Sequence, residues 1–108
     1  MHHDLFFFEQ VADSLPGSGI RDVITDFAGG NEKIDLSAID ANTTIAGDQA
    51  FIFIGSAAFS AAGQLRFSGN VLQANVDSDF GPSFPFNGAD FEVQLTGVTS
   101  VSAGDFIL

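Results

Sequence analysis

Apolar residues in this chain come in runs of no more than four or five, and glycine, asparagine or aspartate breaks them at short intervals. An amphipathic helix needs apolar positions recurring at three and four residues over a window of about 11 or more, and no such stretch is present. Short runs closed by turn formers match strands of about five residues. Phenylalanine supplies most of the bulk: 13 Phe stand beside 12 Gly, with no Tyr and no Trp. Phe, Val and Ile favour strands, while Gly, Asn and Asp mark the turns between them.

The chain therefore reads as all-β. Leu5–Val11 is a candidate strand and Ser14–Gly19 a loop. Arg21–Phe27 alternates polar and apolar through Val23, Thr25 and Phe27, Ala28–Glu32 is a turn, and Lys33–Ile39 returns through Ile34 and Leu36. Asp40–Asp48 is polar loop. Phe51–Ile54, continuously apolar, reads as a central strand covered on both faces. Gly55–Gly63 is rich in small residues, with room for a helical turn at Ala57–Phe59. Gln64–Phe67, Ser68–Asn70 and Val71–Val76 form a hairpin. Asp77–Ala89 holds Pro82 and Pro85 and is a long loop. Asp90–Leu95 alternates strictly, with Phe91, Val93 and Leu95 inward and Asp90, Glu92 and Gln94 outward, and Val101–Leu108 closes the chain. About eight short strands and no long helix make a β-sandwich or a flattened β-roll, one domain over residues 1–108. Phe27, Phe51, Phe53, Phe67, Phe91 and Phe106 fall at strand-core positions. Phe80, Phe84 and Phe86 lie in the proline loop, where they form either an exposed patch or, as the favoured reading, a lid on the sheet.

Charge narrows the function. Asp and Glu number 14 against 3 Lys and Arg, a net charge of −11. Such a chain has nothing with which to release counterions from a nucleic acid, and it is repelled by anionic membrane surfaces. No apolar run is long enough for membrane insertion. With no Cys, disulfides and thiolate metal sites are excluded. Leu5–Phe8 lacks the basic flank and the length of a secretory signal.

Catalysis finds no support. The only histidines, His2 and His3, stand directly after Met1 and read as the remnant of a tag. HExxH, GxSxG, GxGxxG and GxxxxGK[ST] are all absent. A hydrolase reading is left with scattered carboxylates, for which a solvated acidic surface is the plainer account.

Those carboxylates do point to a hard cation. Calcium takes about six to eight oxygens from carboxylates, amides and backbone carbonyls. One candidate set is Asp22, Asp26, Glu32 and Asp35, carried on two strands read as adjacent and on the Gly-Gly turn between them; a polar strand end paired with Arg21 and Lys33 explains it equally well. A second set is Asn75, Asp77 and Asp79 with Asp90 beyond the proline loop, its alternate spacing resembling the opening of a calcium loop.

The run RDVITDFAGGNEKIDLSAIDAN, Arg21–Asn42, resembles the region following the calcium-binding repeats of RTX proteins, most of all the C-terminal domain of serralysin-type (peptidase M10) metalloproteases. FIFIGSAAFSAAGQLRF (Phe51–Phe67), DFEVQLTGV (Asp90–Val98) and SAGDFIL (Ser102–Leu108) resemble the same family, so the likeness covers most of the chain from Leu5. The resemblance implies a non-catalytic cap on an upstream parallel β-roll of GGxGxDxUx repeats, in a parent that is a metalloprotease or lipase. No intact repeat is present; Asp4-Leu5-Phe6 matches only its D-x-U half, making residues 1–8 the remnant of a last repeat strand with Asp4 as a possible calcium ligand. A DxNxDGxxDF-like stretch of such proteins corresponds to Asn75–Asp79 and Asp90-Phe91, split by Phe80–Ala89. The resemblance also implies a secreted, extracellular protein with an uncleaved C-terminal signal for an ABC-type (type I) exporter, an acidic residue followed by three hydrophobic ones. Asp105-Phe106-Ile107-Leu108 fits it, and also fits a closing strand. Low cytosolic calcium leaves the charge unscreened, and extracellular calcium favours the folded state by mass action. The alternative from another class is an extracellular binding or adhesive module using the Phe-rich acidic loop 77–90. An edge-strand homodimer is a further expectation.

Overall fold

The computed structural model describes residues 5–17, 19, 21–25, 33–45, 47, 49–77 and 88–108. Eight strands run through those residues: β1 (Leu5–Phe7), β2 (Asp22–Ile24), β3 (Lys33–Asp35), β4 (Ile52–Phe53), β5 (Gln64–Ser68), β6 (Val71–Asn75), β7 (Phe91–Leu95) and β8 (Phe106–Ile107). They make two sheets, one ordered β1-β3-β8 and the other β2-β7-β6-β5-β4. The protein is all-β.

The five-stranded sheet grows from its hairpin. β5 and β6 pair antiparallel with Ser68 opposite Val71, so Gly69 and Asn70 alone make the turn. Both have φ +58°, the left-handed conformation that a tight hairpin needs at its two central residues. Gly and Asn adopt it at least cost. The turn is tied to β7 by Leu95 N–H donating to Asn70 O at 2.7 Å. β7 pairs antiparallel with β6, and β2 and β4 add parallel at the two edges. The other sheet is parallel throughout, β3 lying between β1 and β8.

One hydrophobic core serves both sheets. Ile34 and Phe106 enter it from the three-stranded sheet, and Leu65, Leu72, Phe91, Val93 and Leu95 from the five-stranded one. Two aromatic pairs bridge the gap. The ring of Phe8, just past β1, meets Phe91 of β7 edge-on, with centroids 5.0 Å apart and planes at 82°. Phe53 of β4 meets Phe106 of β8 at 5.2 Å and 49°. Such pairs contribute about 0.5–1.5 kcal/mol each beyond their burial.

Several expectations change. Val11 belongs to a 3₁₀ turn, Val11–Ser14, rather than to the first strand. β2 and β3 are not a hairpin; they lie in different sheets. The inward residue of β2 is Ile24, at 7% exposure, while Val23 is 52% exposed and Thr25 is also exposed. With apolar residues at both Val23 and Ile24, a three-residue strand is too short for alternation to choose its face. Pairing chooses it: Val23 sits opposite Gln94 and Ile24 opposite the buried Leu95. β4 is an edge strand rather than a central one, and its Ile52 is 67% exposed. Ala57–Phe59 forms no helical turn. Among the candidate core rings, Phe51, Phe67, Phe91 and Phe106 are buried and Phe53 partly so. Phe27, Phe80, Phe84 and Phe86 lie outside the described residues.

Candidate functional site

The outward face of the five-stranded sheet carries a polar row. Register places Glu92 of β7 opposite Gln73 of β6, and Gln73 opposite Arg66 of β5. Glu92 Oε2 accepts from Gln73 Nε2 at 2.6 Å, and Arg66 Nη1 donates to Gln73 Oε1. Arg66 also reaches the Ala57 carbonyl through Nε at 2.8 Å and the Ser56 carbonyl through Nη2 at 3.2 Å. Its guanidinium stands 5.8 Å from the centre of the Phe59 ring, within cation–π range.

Ser14, Gly17 and Arg21 close over the other end of this row. Glu92 Oε1 accepts from Gly17 N–H at 3.1 Å and from Arg21 Nη1 at 2.9 Å, while Arg21 Nη2 donates to Gln94 Oε1 at 3.2 Å. Gly17 has φ +119°, which a side chain would oppose. Ser14 is 1% exposed; its hydroxyl donates to the Glu92 carbonyl and accepts from Asp22 N–H at 2.8 Å. Glu92 is consequently 2% exposed although it points away from the core. A carboxylate is tolerated there only because the neighbouring groups replace the hydrogen bonds of water. Alternation alone made Glu92 a surface residue. The scarcity of cations was the one signal that it is not, since two of the three are spent on this row.

The C-terminal tetrapeptide forms the second assembly. Asp105 closes the 3₁₀ turn Ala103–Asp105, with Oδ2 accepting from Ser102 N–H at 2.9 Å. Lys33 Nζ donates to the Gly104 carbonyl. Phe106 then pairs with Ile34 and Ile107 with Asp35, and Leu36 N–H donates to Ile107 O at 2.9 Å. Phe106 is 6% exposed, Ile107 is 38% exposed, and Leu108 packs partly buried on the core. All three Lys and Arg side chains of the protein are thus engaged within it.

The candidate calcium ligands are only partly within the described residues; Asp4, Asp26, Glu32 and Asp79 lie outside them. Asp22 and Asp35 stand on different sheets, so the adjacency assumed for them does not hold. Asp35 Oδ1 accepts from Ser37 N–H and Oγ at 2.9 and 2.6 Å. Asp90 Oδ2 accepts from Val76 N–H at 2.9 Å, and Asn75 Nδ2 donates to Gly88 O. Asp77 follows β6 at intermediate exposure. Among the described residues no three His, Asp or Glu side chains converge as metal ligands. The described members do not by themselves make a calcium cage.

A family model described as Peptidase M10 serralysin C terminal matches residues 1–108. No curated protein matches the chain in sequence.

Proposed function

The chain belongs to the peptidase M10 serralysin C-terminal family and is a C-terminal module of RTX-type proteins; from that premise we propose that it does no chemistry itself, caps an upstream parallel β-roll, and offers its last four residues to an ABC-type exporter while unfolded. Members of the family are secreted. No helix among the described residues is long and apolar enough to cross a membrane.

The observation that carries the proposal is the parallel β1-β3-β8 sheet, which takes in strands from both ends of the chain. A parallel sheet is a natural continuation of a parallel roll, because consecutive strands enter in the same direction. Supporting the export half, Asp105-Phe106-Ile107-Leu108 has the acidic-then-hydrophobic order of the resembling signals. Once folded, that segment is paired along β3, with Phe106 buried. An exporter then has to read it before folding.

Deleting Asp105–Leu108 and measuring secretion in cells carrying a matching ABC exporter tests the export half; undiminished secretion removes it. Ile107→Ser separates signal from stability, because that side chain is 38% exposed in the fold. Reduced export with an unchanged melting temperature is the expected result.

A further inference from the structure

A cleft of 180 Å³ opens beside the end of β1, lined by Glu9, Gln10, Ile39, Asp40, Thr43 and Val76. Its floor is apolar: Ile39 is 4% exposed and Val76 6%. Glu9 and Asp40 are its two carboxylates. Asp13 Oδ2 accepts from Glu9 N–H at 2.9 Å and so anchors the backbone beneath the first carboxylate. Asp40 Oδ1 accepts from Asn42 N–H at 3.2 Å and Gln49 N–H at 3.1 Å, leaving Oδ2 outside those two bonds. Thr43 is committed, with its hydroxyl and its N–H both donating to Val76 O.

An apolar floor under two carboxylates is complementary to an amphipathic cation. Among the described residues no Lys or Arg side chain is left to supply one. Arg21 is held by Glu92, Arg66 by Gln73, and Lys33 by Gly104. We infer that this cleft receives a lysine side chain from a partner polypeptide, its butyl stem on Ile39 and Val76 and its ammonium between Glu9 and Asp40. Lysine fits better than arginine. Its ammonium makes separate contacts in different directions, whereas the guanidinium fork favours both oxygens of one carboxylate, and one Asp40 oxygen is already engaged. A second copy of the chain is the wrong occupant, because its only lysine is Lys33. A bare divalent cation is poorly served, since no three carboxylate or His side chains converge among the described residues and Val76 O is already held by Thr43.

The test is an NMR titration of the isotope-labelled 108-residue chain with Nα-acetyl-lysine methylamide. The norleucine analogue, which keeps the stem and lacks the charge, and the arginine analogue serve as comparisons. Saturable shifts at Ile39, Asp40, Thr43 and Val76 are expected with the lysine probe, and weaker ones with the other two. Glu9→Gln removes one surface ion pair and is expected to weaken lysine binding about two- to fivefold, with added salt acting in the same direction. The Glu9 side chain is exposed and makes no hydrogen bond among the described contacts, so the variant keeps its fold. Equal binding of norleucine, indifference to Glu9→Gln, tighter binding of arginine, or shifts that never saturate would each overturn the inference.

Discussion

Arg21 Nη1 lies 2.9 Å from Glu92 Oε1, joining the residue before the edge strand β2 to β7, the strand beside it. Glu92 is the more buried partner, at 2% side-chain exposure against 16% for Arg21. Removing either partner has different consequences. Arg21→Ala strands a buried carboxylate and is expected to cost about 2–4 kcal/mol in urea unfolding. Glu92→Gln removes the charge and keeps much of the shape, at an expected cost of about 1–2 kcal/mol. Values within experimental error of wild type for both would mean that the pair does not hold the segment in place.

The hairpin turn makes a backbone prediction. Asn70 has φ +58°, so Asn70→Ala forces a side chain without local hydrogen-bonding capacity into the left-handed region. A loss of about 1 kcal/mol is expected, while Asn70→Gly leaves the melting temperature nearly unchanged. Equal effects of Ala and Gly would contradict the turn geometry.

The face of β2 is testable by a pair of truncations. Ile24 is buried and Val23 half exposed, so Ile24→Ala is expected to cost about 2–4 kcal/mol and Val23→Ala less than about 0.5 kcal/mol. The reverse order would restore the orientation that alternation through Val23 and Thr25 had predicted.

At the C-terminus, Phe106 packs at 5.2 Å from Phe53 and seals the core between the sheets. Phe106→Ala is expected to destabilise by about 3–4 kcal/mol. Lys33→Met frees the Gly104 carbonyl and acts more locally. Hydrogen exchange at Leu36, whose N–H donates to Ile107 O, is expected to accelerate before global stability falls. Unchanged Leu36 protection in that variant would show that Lys33 does not hold the terminal strand.

What the amino-acid order determined by itself was local. Strict alternation placed Phe91, Val93 and Leu95 on one face, and all three are buried. Gly69-Asn70 placed a tight turn where the hairpin has it, because the conformational preferences of these two residues need no distant partner. Short apolar runs established an all-β chain, and the quoted phrases the family. Strand pairing was decided elsewhere. β2 and β3 are consecutive yet join different sheets, and Arg21 finds Glu92 across 71 positions of sequence. A carboxylate at an outward strand position looks solvated until another segment crosses it. That crossing is a long-range contact, fixed by how the two sheets share one core, and a period of two residues carries no record of it.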